Sequence, residues 1–122
     1  MSNQNSGAAC EACGPPLVAE PISAAEAAQM AVLFKALADP VRLRLVSLIA
    51  SHEGGEACVC DLTGAFDLTA PTISHHLKVL REAGLIGSQR RGTWVYYWIN
   101  PEVLGRLSAM LAPGTAGLAV SR

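Results

Sequence analysis

The sequence predicts a mainly α-helical fold with a small β-hairpin (an α+β chain), on three observations. Apolar residues recur at helical spacing in several stretches, opened by capping residues or prolines and closed in most cases by glycine. A short helix, a tight turn and a second helix with a polar outer face follow one another in mid-chain, the pattern of a helix-turn-helix. Beyond it, two alternating segments flank a basic, glycine-containing tip, which reads as a hairpin.

Each element has its own signal. Residues 1–22 hold Gly7, Gly14, Pro15, Pro16 and Pro21 without helical or alternating period, and are expected to form a flexible arm carrying Cys10 and Cys13. Ser23 and Glu26 stand at capping-box spacing before Ala27, Met30, Ala31, Leu33, Phe34 and Leu37, so a first helix should end near Ala38. Asp39-Pro40 opens a second, with proline where its missing N–H does no harm. Its residues Val41, Leu43, Leu45, Val46, Leu48 and Ile49 are apolar nearly all round, which places it at the centre of the core until Gly54-Gly55 stop it. Cys58 to Phe66 predicts a helix of about two turns with Val59, Leu62 and Phe66 on one side. Asp67-Leu68-Thr69 is the turn, Thr69 caps the next helix, and Ile73, Leu77 and Leu80 form its buried stripe up to Gly84.

Ile86 to Gln89, the tip Arg90-Arg91-Gly92-Thr93 and Trp94 to Ile99 make the hairpin, a wing beside the helix-turn-helix. Trp94, Tyr96 and Trp98 alternate with Val95, Tyr97 and Ile99, so one aromatic set should pack on the helices, with Tyr97 read as a surface residue. Pro101 and Glu102 open a last helix bearing Val103, Leu104, Leu107, Met110 and Leu111. The domain is expected over residues 23–112, with a disordered tail at 113–122.

At 122 residues the chain allows one domain with a modest core, and burying further apolar surface in a dimer would supplement it. No run approaches the roughly 18 apolar residues of a membrane span, and the first residues are too polar for a signal peptide, so a cytoplasmic protein with no membrane partner is expected. The net charge of −1 is divided unevenly: residues 1–67 carry eight acids against Lys35, Arg42 and Arg44, and residues 68–122 carry six bases against Glu82 and Glu102. Phosphate affinity depends on local positive potential, so the second half suits nucleic acid.

On the helix after the turn, Thr72, Ser74, His75, Lys78 and Arg81 remain outside the apolar stripe. Hydroxyls and a histidine can reach base edges, while Lys78 and Arg81 suit phosphates. Arg90 and Arg91 suit the backbone or minor groove beside it. His75 with His76 is a poor metal pair, because adjacent helical residues diverge by about 100°.

Four cysteines form two close pairs, Cys10 with Cys13 and Cys58 with Cys60. In a reducing compartment such pairs serve as ligands or redox groups more often than as disulfides. Cys10-Glu11-Ala12-Cys13 lacks the βαβ setting of a thioredoxin-like motif, which argues against an oxidoreductase and against an enzyme generally. A metal buffer would have no use for the helix-turn-helix or wing.

Three motifs in order then resemble the ArsR/SmtB family of metal-sensing repressors: Phe34-Lys35-Ala36-Leu37-Ala38-Asp39-Pro40-Val41-Arg42-Leu43 its second-helix entry, Cys58-Val59-Cys60-Asp61-Leu62 its metal box, and Pro71 to Leu85 its recognition helix. The likeness covers residues 24–111 and is greatest to the arsenite-sensing branch. It implies a winged helix-turn-helix repressor, homodimeric through its first and last helices, that binds double-stranded operator DNA at an imperfect inverted repeat and leaves when a metal or metalloid binds.

Soft thiolates select arsenite and antimonite, and also cadmium, lead, zinc or copper(I). Arsenite takes three, zinc or cadmium four. Some arsenic-sensing relatives carry a third cysteine one turn past the box, where this chain has Asp61, Leu62, Thr63 and Gly64. By resemblance to sensors with a cysteine arm, the missing thiolate is assigned to Cys10 or Cys13, from either subunit. Residues 101–122 lack the Asp and His ligands of the C-terminal site. The expected inducer is arsenite or antimonite; the alternative is cadmium, lead or zinc on all four cysteines.

Overall fold

In the computed structural model, which describes residues 20–112, Ser23 caps the first helix, α1 (Ala24–Leu37). Its hydroxyl accepts from the Glu26 amide at 3.1 Å, and the Glu26 carboxylate accepts from the Ser23 amide at 3.3 Å. Asp39 caps α2 (Pro40–Ser51) by accepting from the amides of Val41 and Arg42 at 2.9 and 3.1 Å. Those two amides hold the Asp39 carboxyl below its usual range, Arg42 foremost. A turn at Glu53–Gly55 leads into β1 (Glu56–Cys58), α3 (Val59–Thr63), α4 (Ala70–Ala83), β2 (Ile86–Arg91), β3 (Trp94–Ile99) and α5 (Pro101–Leu111).

Residues 22–110 pack around one core. Met30, Leu33 and Ala36 of α1 meet Leu45 and Ile49 of α2, Leu62 of α3, Ile73, Leu77 and Leu80 of α4, and Leu107 of α5. The expected stripe of α4 is therefore the buried one. Helix α2 is less central than its composition implies: only Leu45 and Ile49 are fully buried, and Leu43 is 53% exposed. No helix among the described residues is long and apolar enough to cross a membrane.

The sheet departs from the sequence expectation in three ways. It has three antiparallel strands in the order β1-β3-β2, with Glu56, Ala57 and Cys58 opposite Trp98, Tyr97 and Tyr96. A three-residue strand is too short to show alternation, and only its pairing with β3 defines it. Second, Arg90 and Arg91 belong to β2 and not to the tip: Arg91 pairs with Trp94, leaving the two-residue turn Gly92-Thr93. Gly92, at φ 66°, takes the left-handed conformation that such tight hairpins require at their first position. Third, Tyr97 is buried against the helices between Val95 and Ile99, and burial pushes its phenol pKa up. The other set faces outward, with Trp94 half exposed.

On that outer face Trp98 lies flat against Gly87, its register partner on β2. A Cβ at position 87 would stand 2.6 Å from the indole. Gly87→Ala is therefore expected to lower stability by about 1–3 kcal/mol through forced displacement of the ring. Thermal unfolding checks this; an unchanged midpoint would mean the indole swings aside freely.

The short helix also differs. It is a single turn, Val59–Thr63, and the connection to α4 runs from Gly64 to Thr69, so the segment to Phe66 is not helical. Arg44 on α2 lies over the Phe66 ring, 4.6 Å from its centre, and fastens this connection to the core.

Candidate functional site

Cys58 is at once the last residue of β1 and the cap of α3, and Cys60 is the second residue of that helix. This junction folds both sulfurs to one place: the Cys60 thiol donates to Cys58 Sγ at 2.8 Å. The Cys58 amide donates to the Asp61 carboxylate at 3.2 Å, which fixes the helix start, and His52 stands 3.5 Å from the same carboxylate. Cys58 is buried and Cys60 exposed, so the pair opens outward on one side. The hydrogen bond to Cys58, then partial desolvation and the neighbouring Cys58 and Asp61, raise the Cys60 thiol above the ordinary cysteine range.

Two thiols so placed fit half of a soft-ion site. Tetrahedral ligation with metal–sulfur bonds of about 2.3 Å sets sulfurs about 3.8 Å apart, so the pair must open by roughly 1 Å to share an ion. Among the described residues no three His, Cys, Asp or Glu side chains gather into a metal-holding group. Cys10 and Cys13 lie outside the described residues, as does the 113–122 segment.

Helix α4 follows six residues beyond α3. Thr69 caps it by accepting from the Thr72 amide at 3.3 Å, and the two hydroxyls are 2.8 Å apart. Thr72, Ser74, His75, Lys78 and Arg81 are all exposed on its outer face. His76, in contrast, turns inward: its Nδ1 lies 3.2 Å from an Arg42 guanidinium nitrogen and 4.0 Å from Asp39. Arg42 also donates through Nε to the Ala36 carbonyl, so α4 is pinned to the junction of α1 and α2. Sequence spacing set His76 beside His75, but nothing local signals its partner 34 residues away.

The two wing arginines are placed differently. Arg90 is exposed, and no hydrogen bond or ion pair engages its side chain among the described residues. Arg91 donates from both terminal nitrogens to the Glu56 carboxylate at 2.7 Å each, and from Nε to Gln89 at 3.0 Å. The guanidinium also covers the Tyr96 ring at 4.8 Å. Arg91 holds the Glu56 carboxyl below the usual carboxylate range, and Glu56 in turn raises Arg91. Sequence reasoning missed Glu56; its only signal was a carboxylate two residues before a cysteine.

Comparison with known proteins places the chain in a family. The family described as "Bacterial regulatory protein, arsR family" matches residues 39–88. An arsenic resistance transcriptional regulator of Pseudomonas putida is 51% identical over 80 residues, covering 66% of this chain and 61% of the relative. An arsenical resistance operon repressor of Bacillus subtilis is 47% identical, covering 64% of this chain and 73% of the relative. Among solved structures, an antimony-specific transcriptional repressor is 35% identical with a TM-score of 0.61, over 76% of this chain and 83% of that one. A homodimeric winged helix-turn-helix DNA-binding domain of Mycobacterium bovis is also 35% identical, with a TM-score of 0.59 over 74% and 83% of the two chains. The fold is accordingly a winged helix-turn-helix, and the chain belongs to the ArsR family of transcriptional regulators rather than to a family of enzymes.

Proposed function

We propose that this protein represses transcription by binding operator DNA as a homodimer, and that arsenite or antimonite releases it by taking up the thiolates of Cys58 and Cys60 with a third from Cys10 or Cys13. The observation that carries the reading is the pair of sulfurs 2.8 Å apart on the turn of helix that leads into the DNA-reading α4. Relatives named as an arsenic resistance regulator and an antimony-specific repressor support it.

Two recognition helices would enter successive major grooves about 34 Å apart, with Thr72, Ser74 and His75 toward the bases and Lys78 and Arg81 toward the phosphates. At the wing, Arg90 is the available phosphate contact, since the Arg91 fork is already filled by Glu56. Dimerisation through α1 and α5 is supported by the apolar side chains these helices leave in water, Val32 at 57% and Met110 at 38% exposure. The test is titration of an inverted-repeat duplex and a scrambled duplex at two salt concentrations, with and without arsenite. Equal affinity for both duplexes, or no response to arsenite, would sink the reading.

The presence of four cysteines favours cadmium, lead or zinc as the second reading. Proton balance separates the two. Arsenous acid carries off three thiol protons as water, As(OH)3 + 3 RSH giving As(SR)3 + 3 H2O, whereas cadmium must expel them into solution. Since Cys60 holds its proton more tightly than a free thiol, cadmium affinity should fall by about tenfold per pH unit for each proton expelled between pH 8 and 6. Arsenite affinity should change by no more than about threefold. Sulfur counting by X-ray absorption gives three neighbours in the first case and four in the second.

A further inference from the structure

We propose that Glu56 and Arg91 form a brace that transmits the state of the thiol pair to the wing, so that both are positioning residues for the inducer response; the inference rests on the thiolate-sensor reading above. Directly opposed residues of antiparallel strands share a face, so Glu56 and Cys58 lie on the same outer face as Trp98 and Tyr96. Arg91, opposite Trp94, lies on it too. From β2 its side chain crosses β3 over the Tyr96 ring and ends on the β1 carboxylate. Tyr96 is also the partner of Cys58, so the arginine brackets the register position of the buried thiol.

Backbone pairing alone does not tie these parts together. Strand β1 covers only Tyr96 to Trp98 of β3, and the outer hairpin, Arg90-Arg91 with Trp94-Val95, extends past it. Among the described residues, Arg91 with Glu56 is the hydrogen-bonded side-chain link from that outer part back to β1. Cys58 cannot shift independently either, because it both ends β1 and begins α3, with its amide held by Asp61. In the brace, opening the sulfurs to receive a third thiolate is taken up at the Cys58 end of β1, two residues from Glu56. A fork of two parallel hydrogen bonds tolerates little misalignment. The displacement either drags Arg91 or breaks the fork, and in both cases its neighbour Arg90 is re-aimed. A half-exposed ion pair adds little to folding stability, so this bridge is suited to transmitting position.

The test uses the full-length protein, and its readout is the ratio of operator affinities without and with saturating arsenite. Glu56→Gln is expected to keep the arsenic–thiolate absorption of the wild type and its thermal midpoint. Its affinity ratio should shrink to a fifth or less of a wild-type coupling that typically lies at about 5- to 150-fold. Arg91→Lys, which keeps the charge and loses the fork, should shrink the ratio likewise. The exchanged pair, Glu56→Arg with Arg91→Glu, should recover most of it, and a ratio that is lost and regained while the thermal midpoint stays level is what a merely structural role would not predict. A wild-type ratio in both single variants overturns the brace, including the case where affinity falls equally in both states. Failure of the sensor reading shows separately, as a wild-type protein whose operator affinity neither arsenite nor cadmium changes, and takes the brace with it.

Discussion

Replacing Cys58 and Cys60 together by serine is expected to leave a folded protein that holds its operator at every arsenite concentration that frees the wild type. The two thiols touch at 2.8 Å, and serine hydroxyls keep the size and the mutual hydrogen bond. What they lose is softness: a hydroxyl oxygen is a poor ligand for thiophilic ions, and among the described residues no metal-holding group replaces it. The whole inducer effect, about 5- to 150-fold in DNA affinity for couplings of ordinary size, should vanish. Fluorescence anisotropy of a labelled operator measures it directly. Release at the wild-type arsenite concentration would move the sensor elsewhere. Deleting residues 1–16 completes the experiment, since unchanged arsenite affinity after that deletion would remove Cys10 and Cys13 from the ligand set.

The second large effect is on stability. Leu62 is fully buried, two residues past Cys60, and is the one residue of α3 with no exposure. A five-residue helix cannot sustain itself, since nucleation costs more than a single turn returns. Leu62 therefore holds the thiol turn against the core. Leu62→Ala should cost about 2–5 kcal/mol, lowering the thermal midpoint by about 10 °C or more for a domain of this size. Because a domain carries only about 5–15 kcal/mol in total, the variant should also bind arsenite less tightly. A drop of under about 3 °C would show that α3 is not anchored by this side chain.

Much of the fold was legible because its signals are local. The Ser23–Glu26 box, the Asp39-Pro40 entry, the Thr69 cap and the Ile73, Leu77, Leu80 stripe each depend on residues within one or two turns, and each sits where the spacing puts it. The outward set on α4 follows from the same geometry. Three features escaped because tertiary partners decide them. Strand β1 exists only through β3, and with it the position of Cys58 at a strand-to-helix junction. Tyr97 and the alternate aromatics are equally apolar, so sequence could not say which set faces the helices until α2 and α4 were in place. Arg90 and Arg91 looked equivalent until Glu56, 35 residues earlier, engaged one of them.

The stacking of Trp98 on Gly87 has a practical consequence. Both tryptophans of the chain, Trp94 and Trp98, belong to β3, so its indole emission is an optical report from the wing alone. Trp94 stands in water beside the turn and should sense the arrival of DNA, while Trp98 is shielded against β2 and should stay silent unless the strands part. Selective excitation thus turns this strand into a built-in gauge, able to time whether thiol occupancy reaches the hairpin before or after the duplex departs.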